Sequence, residues 1–415
     1  MKKLIYTLAF VIIVHCTLII ENCMCQWTQL PYFPESGYTL ASTSGNRVYA
    51  GCYKYGVFVT TNNGTDWTKT SLTQPDGNDS VLISAIATNG NYIYAGDNGW
   101  IIGVHLSTDY GLTWTLRMTS DAIVSLAVSG STVYAGGYDN GVYRSTNNGT
   151  SWTQTSLTGE CVNGLSISGN NIYAGTAANG VYISTNAGVS WTKTSLGNQY
   201  VWSVASSGSK VYAGSGGNGI FYSSNNGTNW TYIGLGGRSV YAIELNGNNI
   251  FVGTDAGFYK SSNNGVNWAQ HNDGFQNGTA LLHSVLINNN YLFAGTDGWG
   301  IYRRPLLEMI GVRNISTKIP LSFKLFQNYP NPFNPKTKIK FDVPALSFPN
   351  ASIGNPVILK VYDVMGREVQ TLVNEKLQPG TYEASFDGSM LNSGVYFNKL
   401  QAGDYTDTKK LILLK

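Results

Sequence analysis

The sequence predicts an all-β chain: a ring of seven four-stranded blades, then a small C-terminal β-sandwich. Three observations predict it. The 415 residues include 48 Gly, 27 Tyr and 10 Trp, and only 12% are charged, against a usual charged share of ~25%. A Tyr/Phe-Ala/Val-Gly triplet recurs seven times at near-constant spacing. The chain also changes character near its end. Residues 26–317 carry 12 basic and 14 acidic side chains, whereas residues 318–415 carry 12 and 8. Disorder is excluded, because it needs high charge and few aromatics. Frequent Gly excludes a helical bundle. A net charge of +3 gives no reason to expect a nucleic-acid partner.

The first element is an address. Lys2 and Lys3 precede an apolar run from Leu4 to Ile20. A short basic segment before a hydrophobic stretch reads as a secretory signal peptide, assigned to residues 1–25. The run is shorter than the ~20 apolar residues of a spanning helix, and no later stretch could span. Cys23-Met24-Cys25 suits cleavage before Gln26. Cys52 and Cys161 then remain, three blades apart, and are expected to be unpaired thiols.

The ring follows over residues 26–311. The triplets begin at Tyr49, Tyr94, Tyr134, Tyr173, Tyr212, Phe251 and Phe293, at intervals of 45, 40, 39, 39, 39 and 42 residues. Seven copies at this period suit a β-propeller. Within one unit, Val124–Val128 reads as an inner strand and Thr132–Ala135 as the second. Asp139-Asn140-Gly141 is a hairpin turn. Val142–Ser145 and Trp152–Thr155 are the third and outer strands. The seventh unit stops at Gly300–Arg303 without an outer strand. Trp27–Leu30 matches the outer-strand pattern, so the N-terminal segment is predicted to close the last blade.

Six units carry a second motif at the third turn, Ser/Thr-x-Asx-x-Gly-x-x-Trp, as in Thr60, Asn62, Gly64 and Trp67. Its Asx positions are Asn62, Asp109, Asn147, Asn186, Asn225 and Asn263. This closely resembles the Asp-box, or BNR repeat, of sialidase-like propellers. The box reads as structural: the Asx oxygen accepts backbone amides and Gly supplies the turn angle. Asn at five of six boxes removes acid chemistry there. Clustered carboxylates of a calcium loop are absent, so no metal and no cofactor are expected.

Antiparallel strands put first and third turns at one end of the ring. Second turns and inter-blade loops share the other, and ligand binding is expected there, as the Asp-box resemblance also implies. Second turns offer Tyr53, Tyr55, Trp100, Tyr138 and Trp299. Inter-blade loops add Tyr200, Trp202, Phe275, Asp79, Asp121, Glu160, Arg238, His271 and Asp273. The ligand-binding set taken from these is Tyr53, Tyr55, Trp100, Tyr138, Trp202, Trp299, Asp79, Asp121, Arg238 and Asp273. Aromatic faces with scattered carboxylates suit sugars; packing and turn-capping are the structural alternative. No sialidase arginine triad is legible among the seven Arg of the ring, and no carboxylate pair stands out.

The tail, residues 320–415 after a linker at 312–319, reads as strands at Thr337–Val343, Val357–Asp363, Gly380–Asp387, Gly394–Gln401 and Tyr405–Leu414. Alternation at Val357–Tyr362 supports a sandwich. Asn328-Tyr329-Pro330-Asn331-Pro332-Phe333-Asn334-Pro335, Val361-Tyr362-Asp363-x-x-Gly366-Arg367, Leu391-x-Ser393-Gly394-Val395-Tyr396 and Lys409-Lys410-Leu411 closely resemble the type A C-terminal sorting domain of the type IX secretion system. The resemblance implies type IX machinery as partner and an extracellular or outer-membrane-surface destination. The sequence thus points to a secreted propeller that binds a glycan or protein. A sialidase-like or xyloglucanase-like hydrolase is the alternative, and a relative of photosystem II assembly-factor propellers a third.

Overall fold

The computed structural model describes residues 26–31, 37–43, 45–73, 81–99, 102–316, 318–345, 356–375, 377–389 and 391–415. Residues 1–25, read from the sequence as a signal peptide, Asp79 and Trp100 lie outside the described residues.

Among the described residues, nine four-stranded antiparallel sheets form, seven of them blades. The inner strands are Gly37–Ser42, Ile83–Asn89, Ile123–Ser129, Val162–Ser168, Val201–Ser207, Val240–Asn246 and Leu282–Asn288. Each packs on the next, and the first packs on the last, so the ring is closed.

The triplet is a packing device. A Cβ on Gly96 would lie 2.7 Å from Ile123 Cγ2 of the next blade, and one on Gly175 2.6 Å from Val201 Cγ1. Both glycines have ordinary strand angles, so close approach, not conformational freedom, demands them. The triplet tyrosine reaches the following blade. Tyr49 Oη donates to the Tyr110 carbonyl at 3.2 Å, and Tyr134 Oη to that of Ala187 at 3.0 Å.

Those acceptors lie in the boxes. In the third blade, Ser145 Oγ donates to Asn147 Oδ1 and accepts the Gly149 amide, both at 2.9 Å. Asn147 Oδ1 also accepts the Ser151 amide at 3.0 Å. The same three bonds recur in the other boxes, for instance at Thr60, Ser107 and Ser261. Asn148 and Gly149 take successive positive φ values of 53° and 78°, which is why Gly stands there. The boxes therefore fasten one blade to its neighbour.

The predicted closure is present. Thr28 pairs with Arg303 and Gln29 with Tyr302. Trp27 is 1% exposed, stacks on Phe275 at 5.1 Å, meets Phe258 edge-on at 5.0 Å, and donates Nε1–H to the His271 carbonyl at 2.8 Å. Phe275 is thus a buried anchor of the closure and not a face residue, which corrects its reading as a ligand-face aromatic.

The seventh blade has no box. Arg304 occupies the register of the box Ser, opposite Leu292 as Ser184 is opposite Ile172. A short helix, α1 (Leu306–Met309), follows. Its Leu306 and Met309 pack with Phe251 and Phe258 of blade six. Arg304 Nε lies 3.7 Å from Glu308 Oε2. The helix covers the blade flank that a box covers elsewhere.

The linker read at 312–319 is corrected. Val312–Ser316 is an edge strand of the C-terminal sandwich, paired with Gly380–Asp387. That sheet runs Val312–Ser316, Gly380–Asp387, Lys336–Val343, Lys324–Leu325; its partner runs Glu368–Glu375, Val357–Asp363, Gly394–Ala402, Tyr405–Leu413. The two enclose Phe333, Ile339, Phe341, Leu359, Val361, Phe386, Leu400 and Leu411. The polar, irregular stretch Val312-Arg313-Asn314-Ile315-Ser316 has three consecutive exposed residues, so alternation did not mark it.

The sandwich rests on the box end of the ring. Asn246 Nδ2, at the first turn of blade six, donates to Glu375 Oε1 at 2.6 Å. The Ser385 amide donates to the Gly311 carbonyl at 3.0 Å. The opposite end, with second turns and inter-blade loops, lies away from these contacts.

Candidate ligand-binding site

One backbone feature shapes the open end. All seven inner strands carry a β-bulge at their second residue, between Gly37 and Thr39 in blade one and between Leu282 and Ser284 in blade seven. A bulge re-aims a side chain and ends regular pairing. The chain enters each inner strand from the open end, so the bulged residues ring that end of the central channel. They include Ser84, Val124, Asn163, Trp202, Tyr241 and His283.

On one side this ring is aromatic. Tyr200 and Trp202 have centroids 4.7 Å apart, Trp202 and Tyr241 5.3 Å, and Tyr241 and His283 5.5 Å. Neighbouring planes are tilted by 50°, 56° and 50°, so the rings turn with the ring wall as facets of a crescent across blades five to seven. Trp202, Tyr241 and His283 are half-buried and Tyr200 is exposed. Burial holds the Tyr200 phenol above its ordinary value.

Polar groups frame the crescent. At one end His283 Nε2 lies 4.0 Å from Asp297 Oδ2; burial lowers the imidazole's proton affinity and Asp297 opposes that. At the other end Cys161 Sγ donates to Asn163 Oδ1 at 3.3 Å, and Asn163 Nδ2 donates to the Val201 carbonyl at 3.1 Å. The Cys161 thiol is pushed up to about 11, first by burial, then by Asp139, Asp121 and Glu160. Glu160 Oε1 accepts Asn179 Nδ2 at 2.7 Å and Tyr182 Oη at 3.1 Å. Both thiols are unpaired, as expected.

Further along the channel wall sits Glu244, three residues after Tyr241 on the same strand. Its register equivalents are Ala41, Ala87, Ala127, Ser166, Ala205 and Leu286. It accepts the Ile287 amide of blade seven at 3.3 Å. Burial pushes its carboxyl up to about 7.

The sequence-named residues fare unequally. Trp202 is in the crescent. Tyr53, Tyr55, Tyr138 and Trp299 are exposed on second turns of the same end. Arg238 and Asp273 are exposed on inter-blade loops. Asp121 is a correction: it is 3% exposed and its Oδ2 accepts the Asn140 amide at 2.9 Å, so it caps the second turn of blade three. Sequence reasoning passed over Tyr241, His283, Asn163 and Glu244 as site residues. The signal for the first three was the repeat itself, since each sits at the position of Trp202 within its unit.

With this geometry fixed, comparison with known proteins separates the two parts of the chain. Residues 327–414 match the family model described as "Secretion system C-terminal sorting domain". The tail is a sorting domain. It indicates export through the type IX secretion system, to the cell surface or beyond. No curated protein matches the chain. Among solved structures, a YCF48 bound to D1 peptide is 14% identical with a TM-score of 0.55, over 68% of this chain and 96% of that one. The GH74 xyloglucanase from Xanthomonas campestris is 14% identical with a TM-score of 0.54, over 92% and 75%. The GH74 enzyme of Niastella koreensis is 22% identical with a TM-score of 0.51, over 66% and 43%. At this level of identity these likenesses show fold alone.

Proposed function

We propose that this is an exported glycan-binding propeller, carried across the outer membrane by its sorting domain and holding a polysaccharide at the aromatic crescent. The observation that carries the reading is the run Tyr200–Trp202–Tyr241–His283 at the channel mouth. Aromatic rings with one wet face suit amphipathic ligands, and sugar faces present C–H groups to them. The sandwich occupies the box end, which leaves the crescent end for a ligand. The box bonds, and the resemblance to Asp-box propellers, support a structural part for that motif.

Binding is favoured over hydrolysis by the carboxylates. A glycosidase needs an acid and a second carboxylate about 5–9.5 Å from it across the sugar. Asp121 and Glu160 are engaged in turn and loop bonds, and among the described residues no second carboxylate interacts with Glu244. The test is a panel of soluble oligosaccharides titrated into the full chain by calorimetry. A binder should appear, and Trp202→Ala should weaken it by more than tenfold, about 1.4 kcal/mol, with the melting curve little changed. Binding untouched by Trp202→Ala would remove the crescent from the function. Turnover of a chromogenic glycoside, lost in Glu244→Gln, would instead make the protein a hydrolase.

A further inference from the structure

Blade five starts the crescent with Tyr200 and Trp202, and it departs from the repeat in two further places. The first is its second turn. Blades one and three carry Tyr53-Lys54-Tyr55 and Tyr138-Asp139-Asn140 there, whereas blade five carries Gly216-Gly217-Asn218. The second is Tyr232 on the outer strand, opposite Phe221. Its register equivalents in the other blades are Lys69, Leu116, Gln154, Lys193, Gln270 and Gln29. Tyr232 meets Phe221 edge-on at 5.8 Å and is still 52% exposed, so core packing uses only part of the ring.

These departures are joined to the crescent by a chain of contacts. The Gly216 amide donates to the Tyr200 carbonyl at 2.8 Å, and a Cβ on Gly216 would lie 3.3 Å from Tyr200 Cδ1 and 3.4 Å from Trp202 Nε1. The Gly237 amide donates to the Gly217 carbonyl at 3.0 Å. The Gly236 amide donates to Tyr232 Oη at 2.7 Å. Four glycines thus form a saddle without side chains that runs from the crescent to the outermost strand of the blade. Gly217, Gly236 and Gly237 are exposed. Arg238, exposed on the same loop, borders the saddle with donors for hydroxyl groups.

Resting on the glycan-binding reading, we propose that the crescent is the inner part of a longer groove. A neutral polysaccharide runs from the channel mouth outward over the glycine saddle and stacks again on Tyr232. The path ends at the outermost strand, where nothing in the blade stops the chain. The ligand class is therefore an internal stretch of a long polymer, not a chain end or a single sugar. Ring faces at both ends take the C–H faces of sugars, and the bare backbone between them lets the chain lie close. Sugars beyond the crescent bind as part of a chain already held, so affinity grows with length.

The experiment titrates the full-length chain with cello-, xylo- and manno-oligosaccharides, each as trimer and as hexamer. In the series that binds, the hexamer should bind about tenfold tighter than the trimer, about 1.4 kcal/mol. Tyr232→Ala should erase that margin and leave the trimer affinity and the melting curve unchanged, and Tyr232→Trp should keep the margin. Trp202→Ala should weaken both lengths. The soluble polymer of the same series should take up several protein molecules per chain. Equal affinity for trimer and hexamer, both lost in Trp202→Ala, would overturn the groove and leave the glycan-binding reading standing. A margin that survives Tyr232→Ala, or one protein molecule per polymer chain, would do the same. No binding in any series would overturn both readings, as would tighter binding of a decaproline peptide than of any sugar.

Discussion

Replacing Trp27 by Ala tests the closure of the ring. Trp27 is 1% exposed and lies between Phe275 and Phe258, with its indole N–H on the His271 carbonyl. Large-to-small changes at buried Trp or Phe cost about 3–5 kcal/mol. The substitution also strips the His271 carbonyl of its donor, which costs about 1 kcal/mol or more when the acceptor stays buried. The outer strand itself is only Thr28–Gln29; besides Trp27 the segment is held by buried Leu30 and by Gln29 Nε2 on the Trp299 carbonyl. Together these place the loss near the top of that range, about 5 kcal/mol. At roughly 2–4 °C per kcal/mol for a domain of this size, the melting temperature should fall by roughly 10–20 °C. Thermal melts followed by near-ultraviolet circular dichroism report it. The half-buried Trp152, the equivalent outer-strand Trp of blade three, is the control, and Trp152→Ala should cost about half as much. A Trp27→Ala variant within 1 kcal/mol of the parent would refute the reasoning, because the ring would then be held shut by something other than its N-terminal strand.

Glu244 makes stability depend on pH in a definite direction. Its folded pKa, about 7, is above the unfolded value, so the folded state holds the proton more tightly and stability falls as pH rises from about 4.5 to 7; Glu244→Gln should flatten that slope in melts across the window. Asn147→Ala removes the acceptor of Ser145 Oγ and of the Ser151 amide and should cost about 1–2 kcal/mol by denaturant titration, with sugar affinity unchanged. Truncation after Ile310 keeps Leu306 and Met309 on Phe251 and should give a folded ring that is not exported, whereas truncation after Pro305 should uncover that flank and lower the melting temperature further, as fractionation and calorimetry of the two proteins will show.

The sequence by itself determined the repeat. Seven Tyr/Phe-Ala/Val-Gly triplets and six boxes are local patterns, and local hydrogen bonding and packing fix what they form: Gly96 and Gly175 where the next blade presses in, and Asn147 where a turn needs an oxygen. Closure by Trp27–Leu30 was legible for the same reason, since that segment repeats an outer strand. The sorting domain was legible through its motifs. Tertiary structure alone decided the rest. The Val312–Ser316 strand pairs with Gly380–Asp387 far along the chain, and its exposed side chains leave no alternation to read. Phe275 and Asp121 looked like face residues because loop residues usually are exposed, yet one is stacked on Trp27 and the other caps a turn. The crescent itself arises between blades. Trp202, Tyr241 and His283 lie about one repeat apart in sequence, and only closing the ring brings their rings to about 5 Å of one another. A site made of contacts between repeats is invisible within any one repeat, because each unit supplies a single residue and the curvature of the ring supplies the rest.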